Sequence, residues 1–125
     1  MRVLLDSDIL IEVFRGRDAA IAAQWTALAQ SDNVVLVSAV SFAEIGAGAK
    51  PSEQSLIHRI LAPLERASVD EQTGRLAGEL LRRYAPSHGL KIADALIAAT
   101  AIQRQASLWT RNRKHYPMPE LVVFA

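Results

Sequence analysis

The sequence predicts an α/β fold, a three-layer α/β/α sandwich in which a mostly parallel sheet is covered by helices on both faces. Three observations point to it. Residues 3–5 (VLL) and 34–37 (VVLV) are short continuous apolar runs of the kind that fill strands buried on both faces. Between and after them, apolar residues recur at helical spacing, so that strands and helices alternate. The 125 residues contain no internal repeat, low-complexity stretch or linker, which fits a single domain over residues 1–125 with one core.

The first strand, residues 3–5, stops at Asp6, with Asp8 two residues later. Residues 9–14 keep apolar side chains at helical spacing, and Gly16 is placed to end that helix. Asp18 caps a second helix through AAIAAQWTALAQ, which Ser31, Asp32 and Asn33 close. After the strand at 34–37, a third helix runs over residues 38–49, ended by Gly48, Lys50 and Pro51. A shorter helix over 52–64 places Leu56, Ile57, Ile60 and Leu61 on one face, with Pro63 limiting its end. Residues 67–69 read as a minor strand. Asp70 caps the next helix, whose apolar stripe is Leu76, Ala77, Leu80, Leu81 and Tyr84, and residues 86–89 read as a loop. Residues 92–105 form a strongly apolar core helix. Two strands are expected at 107–109 and 121–124, joined by the loop TRNRKHYPMPE.

Composition narrows the function classes. With 50% hydrophobic and 22% charged residues the chain is an ordinary globular protein. The absence of cysteine excludes thiolate zinc sites, cysteine nucleophiles and disulfide frameworks. The first apolar run is soon broken by Asp6 and Asp8, so neither a signal peptide nor a membrane span is expected, and the expected location is cytoplasmic. A net charge of +1 means that any attraction to nucleic acid must come from local basic clusters.

Three acids adjoin strongly apolar sequence at strand ends or helix starts: Asp6, Glu44 and Asp94. Singly, each has a structural role available. Ser41 and Glu44 have the S-x-x-E spacing of a capping box, Asp94 complements a positive helix end, Asp6 can cap the first helix, and Asp8 is a first-turn acid. Together, their positions can all fall on the carboxyl edge of a parallel sheet, where ligands collect. Gathered carboxylates repel one another and raise their own pKa values unless a cation sits among them. Mg²⁺ or Mn²⁺ is the natural choice where thiolates are absent and the three histidines are scattered.

The segments LLDSDILIEVFRG, SAVSFAEIGAGA, KIADALIAATAI and LWTRNRKHY follow one another in an order and spacing that resemble the PIN-domain ribonucleases, in particular the VapC-type toxins of toxin–antitoxin pairs. The resemblance runs over essentially the whole chain. It implies a PIN-like sandwich in which Asp6, Glu44 and Asp94 are the three acids of a metal site, while Thr110 and Asn112 match the threonine and the Asn or Asp of the last motif. It also implies hydrolysis of an RNA phosphodiester by metal-activated water, a homodimer, and a cognate antitoxin that lays a segment across the helices near the site. Two departures stand out. Asp8 replaces the Asn or Ser of many relatives, and TRNRKHY lacks the fourth acid that many carry. One tightly held ion with a weaker second one is the expectation.

Phosphates need positive charge at the rim. Arg111, Arg113 and Lys114 follow Thr110, and Arg15 and Arg17 follow the first helix, although surface loops are often basic for no such reason. Trp109 and Tyr116 can stack on a base, with Trp109 read as core because it continues a strand. His115 reads as an exposed loop residue, and His58 and His88 have no partner in sequence. Ile11, Phe14, Ile21 and Trp25 offer a groove for the antitoxin, against the reading that they are core. The D-x-D of Asp6 and Asp8 also resembles haloacid-dehalogenase-type phosphatases, but their later lysine and acidic motif is missing. A receiver domain would need a mid-chain aspartate, and none occurs between Asp32 and Asp70. The alternative kept is a catalytically inert PIN-fold module that binds RNA or protein.

Overall fold

The computed structural model describes residues 1–124. Strands β1 (Arg2–Leu5), β2 (Val34–Ser38), β3 (Glu65–Ala67) and β4 (Ser107–Trp109) form one sheet in the order β3-β2-β1-β4, with every pairing parallel. Around it lie helices α1 (Ser7–Arg15), α2 (Ala19–Ala29), α3 (Ala39–Gly48), α4 (Gln54–Leu61), α5 (Glu71–His88) and α6 (Ile92–Gln103).

Strand register divides the core in two. Leu4 lies beside Leu36 and Leu108, and these three pack against Ala77 and Leu80 of α5 and Ala95, Ile97 and Ala98 of α6. One residue on, Leu5 lies beside Val37 and Trp109, and this row packs on the opposite face against Ile9, Leu10, Ile21, Leu28 and Leu61. Successive strand residues point to opposite faces, so a continuous apolar run serves two cores at once and the three-layer sandwich follows. From β1 the chain moves outward to β2 and β3, then crosses back through α5 and α6 to place β4 on the other side of β1. The carboxyl ends of β1 and β4 thus meet where strand order reverses, the position at which open α/β sheets form a crevice.

Several elements differ from the sequence reading. The third helix is capped by Ser38, whose hydroxyl accepts the Val40 amide at 3.1 Å. Ser41 is therefore inside the helix and buried, and the Ser41–Glu44 capping box does not form. The expected helix over 52–64 is a 3₁₀ turn (Pro51–Glu53) followed by α4, and the minor strand lies at Glu65–Ala67 instead of 67–69. Residues 86–88 continue α5. Pro86 lacks an amide proton but sits in the last turn, and the helix stops only at Gly89 (φ 65°), whose N–H bonds to the Ala85 carbonyl. The core helix ends at Gln103, short of 105, because Gln105 (φ 53°) turns the chain into β4. The strand expected at 121–124 is reduced to a single parallel bridge between Leu108 and Val123. No helix among the described residues is long and apolar enough to cross a membrane.

Candidate active site

Asp6 is the first residue beyond β1, and its amide donates to the carbonyl of Trp109, the last residue of β4, at 2.9 Å. This bond ties the two strand ends together. Asp6 is also the N-cap of α1, where its extended backbone turns the carboxylate back so that Oδ1 accepts the Ser7 amide at 2.8 Å. Oδ2 accepts the Thr110 hydroxyl at 2.7 Å and the Tyr116 hydroxyl at 3.0 Å. Burial raises the Asp6 pKa. The three donors favour the charged form and hold that rise back, while the Asp94 charge adds to it.

Asp94 stands in the first turn of α6. Its Oδ1 lies 3.4 Å from the Tyr116 hydroxyl, and its Oδ2 is 3.7 Å from His115 Nδ1. Tyr116 has one proton to give, and the shorter contact goes to Asp6. Burial and the neighbouring Asp6 and Asp94 charges push the phenol pKa far up, so it remains a donor at every physiological pH. One buried phenol thus faces two carboxylates that are 88 positions apart in sequence.

Glu44 is exposed on α3 and reaches the centre through Ser7. The Ser7 hydroxyl donates to Glu44 Oε1 at 2.6 Å and lies 2.8 Å from the Ser41 hydroxyl. Asn112 enters through Asp8. Asp8 Oδ2 accepts the Asn112 side-chain amide at 3.0 Å and the Arg111 backbone amide at 3.2 Å. The Asn112 backbone N–H donates to the Thr110 hydroxyl at 3.0 Å. Asp8 Oδ1 is buried without any partner, and burial together with the Asp6 charge pushes the Asp8 pKa up to about 6.

The residues read from sequence therefore gather unequally. Asp6, Asp94 and Thr110 converge directly, Glu44 joins by one hydroxyl, and Asn112 joins through Asp8. Arg111 turns back to Glu12 at 3.2 Å, Arg113 donates to the Phe124 carbonyl at 3.3 Å, and Lys114 is exposed in the 3₁₀ turn Arg113–His115. Trp109 is core and packs beside Phe124. Tyr116 corrects the sequence reading: it is 4% exposed and cannot stack on a base, because its ring is core and its hydroxyl is committed to the carboxylates. His115 is also placed beside an acid instead of standing alone. Ile21 is core, while Ile11 and Phe14 line a groove with Glu44, Ile45 and Ile57. Sequence reasoning missed Tyr116 and Ser7 as partners of the acids. Adjacency to Asp6 was the only available signal for Ser7, and a loop tyrosine gives none.

Among the described residues, no three acidic or imidazole groups stand close enough to enclose an ion as they are placed. The donor set is nonetheless entirely oxygen, and it includes one buried carboxylate oxygen with no partner.

The comparison with known proteins agrees with this architecture. The PIN domain family model matches residues 3–121. Ribonuclease VapC10 of Mycobacterium tuberculosis is 39% identical over 119 residues, covering 94% of this chain and 88% of the relative. Ribonuclease VapC19 of the same organism is 35% identical over 120 residues, covering 94% and 95%. In solved structures, a chain of VapBC2 from Rickettsia felis, bound to a DNA fragment from its promoter, superposes with a TM-score of 0.82 at 27% identity over 99% of this chain and 98% of that one. A chain with this sheet order, this gathering of acids at the meeting of β1 and β4, and these relatives belongs to the PIN-domain family and, within it, to the VapC ribonucleases.

Proposed function

We propose that this protein is the toxin of a toxin–antitoxin pair: a cytoplasmic, Mg²⁺- or Mn²⁺-dependent endoribonuclease that hydrolyses RNA phosphodiesters. The observation that carries the reading is the approach of Asp6 and Asp94 to the single hydroxyl of Tyr116, which aims two acids from different elements at one point. The ribonuclease names of relatives sharing 35–39% of the sequence supply the substrate class.

Asp6, Asp94 and Glu44 are the residues that would hold the ion, with the free oxygen of Asp8 beside them. Hard carboxylate oxygens suit Mg²⁺ or Mn²⁺, and such an ion would offset both the burial and the mutual repulsion that raise the Asp6 and Asp8 pKa values. Bound there, such an ion would act as a Lewis acid toward the phosphate and lower the pKa of a water. The chain's own residues supply orientation. Thr110 and Tyr116 fix the Asp6 carboxylate, Ser7 fixes Glu44, and Asn112 with the Arg111 amide fixes Asp8. Arg111 and Lys114 bring positive charge to the rim for the phosphate backbone.

The groove lined by Ile11, Phe14, Ile45 and Ile57 beside Glu44 suits the segment of a cognate antitoxin, the kind of partner found with the structural relative VapBC2. A second, mixed surface, where exposed Phe42 and Val69 adjoin Ala39, Ser68 and the Arg66 guanidinium lying over the Phe42 ring, suits a homodimer. Light scattering of the antitoxin-free protein checks this, and a monomer at micromolar concentration contradicts it.

The function is tested by incubating antitoxin-free protein with total RNA in Mg²⁺, Mn²⁺ or EDTA. Discrete cuts are expected with either metal, none with EDTA, and none with Asp94→Asn at unchanged circular dichroism. A fully active Asp94→Asn protein would sink the assignment, and folded but inactive wild-type protein would favour the inert binding module.

A further inference from the structure

Glu12 stands in the second half of α1 with its side chain only 9% exposed. A near arginine and a distant one converge on its Oε1: Arg17 Nη2 at 2.9 Å and Arg111 Nη1 at 3.2 Å. Both guanidinium groups remain open to solvent, Arg17 being 63% and Arg111 47% exposed. The convergence is built by the backbone. Gly16 adopts φ +65° and returns its N–H to the Glu12 carbonyl at 2.8 Å, which folds Arg17 back over α1. On the other side, Arg111 follows Thr110, whose hydroxyl holds Asp6, while the Arg111 amide holds Asp8. The arginine pair is therefore coupled to the acidic centre through adjacent residues.

One carboxylate between two guanidinium groups leaves a net positive charge. Each guanidinium has five N–H donors; Arg17 gives one of them to Glu12 and Arg111 meets Glu12 only as an ion pair, so donors on each side remain for another anion. Without Glu12 the two cations would repel and disperse. With it, they are pre-ordered at the edge of a site that the proposed function assigns to a phosphodiester. Glu12 is buried, so the two arginines also neutralise its charge, while their own exposed guanidinium groups remain open to a further anion.

We propose that Arg17 and Arg111, positioned by Glu12, form a second phosphate subsite that grips the RNA backbone next to the phosphodiester being cut. The inference rests on the ribonuclease reading above. Its new elements are the joining of Arg17 with Arg111 into one subsite and Glu12 as the residue that positions them, none of which belongs to the acidic centre. Recognition is of backbone phosphate and carries no base specificity.

The test measures binding of a fluorescein-labelled oligouridylate to the full chain in EDTA, by anisotropy over a range of salt concentrations. Arg17→Ala is compared with Arg75→Ala, which removes the same charge from an exposed α5 residue paired with Glu71. Arg17→Ala should weaken binding several-fold at low salt and reduce the slope of log K against log salt by about 0.7 for the lost phosphate contact. Arg75→Ala should leave the slope unchanged. Glu12→Gln supplies a test of sign. If the carboxylate merely offset positive charge, its loss would tighten binding, whereas a positioning role predicts weaker binding by a more positive protein. Identical slopes for Arg17→Ala and Arg75→Ala overturn the subsite, and tighter binding by Glu12→Gln overturns the role of Glu12. Failure of the unaltered protein to bind RNA overturns the ribonuclease reading itself.

Discussion

Asp8 is the residue whose charge the fold accommodates least well. One of its oxygens is buried without a partner, and burial followed by the Asp6 charge raises its pKa from 3.8 to about 6. The folded protein therefore holds this proton more tightly than the unfolded chain. The stability that follows is fully present below about pH 4 and lost as pH rises through 6. The full shift corresponds to at most about 3 kcal/mol, and partial solvent screening brings it to about 1 kcal/mol. Asp8→Asn should accordingly stabilise the metal-free protein by about 1 kcal/mol at pH 7, with the gain vanishing near pH 4, as read from urea midpoints. Equal midpoints at pH 7 would show that the free oxygen carries no penalty. At this scale the sequence was informative where chemistry and position coincided. Asp6 ends a buried apolar run and Asp94 opens a buried helix, so both stand out. Tyr116 does not, because a tyrosine in an irregular loop has no periodic context and its value lies in a hydroxyl reaching two residues distant in sequence. Glu12 reads as an ordinary polar position on α1 until the fold brings Arg111 to it.

The elements follow from local signals wherever side-chain period and capping agree. Asp18 caps α2 by accepting the Ala20 and Ile21 amides, and Gly16 ends α1 in the left-handed conformation, both at the positions the sequence marks. The misread boundaries lie where local rules compete. The Ser41–Glu44 pair has capping-box spacing, but β2 extends through Ser38, and the first hydroxyl to reach a free amide takes the cap. Pro86 signals a break, yet in the last turn its missing N–H and its restraint on Ala85 are tolerated, and Gly89 sets the end. That role is testable. Gly89 has φ +65° and open space around the place a Cβ would occupy, so Gly89→Ala meets only the left-handed backbone penalty. A loss of about 1 kcal/mol is expected in chemical denaturation, with cleavage activity unchanged. No loss would mean that α5 ends without help from the left-handed turn.

At the scale of the molecule, function follows from the order of the strands. β2 and β3 lie on one side of β1 and β4 on the other, so the residues just beyond β1 and β4 meet at the reversal, and the first turns of α1 and α6 supply Asp8 and Asp94 to it. Alternating strands and helices made the layered architecture legible in sequence. The strand order is fixed by the crossover through α5 and α6, which no local pattern encodes. The gathered carboxylates are proposed to act as one divalent-metal centre. Calorimetric titration of Mn²⁺ into the metal-free protein, alongside Asp6→Asn and Asp94→Asn, tests it most directly. A saturable binding event is expected in the wild-type protein and is lost or severely weakened in both variants. Binding of equal affinity in all three proteins, or no binding to the wild type, would contradict it.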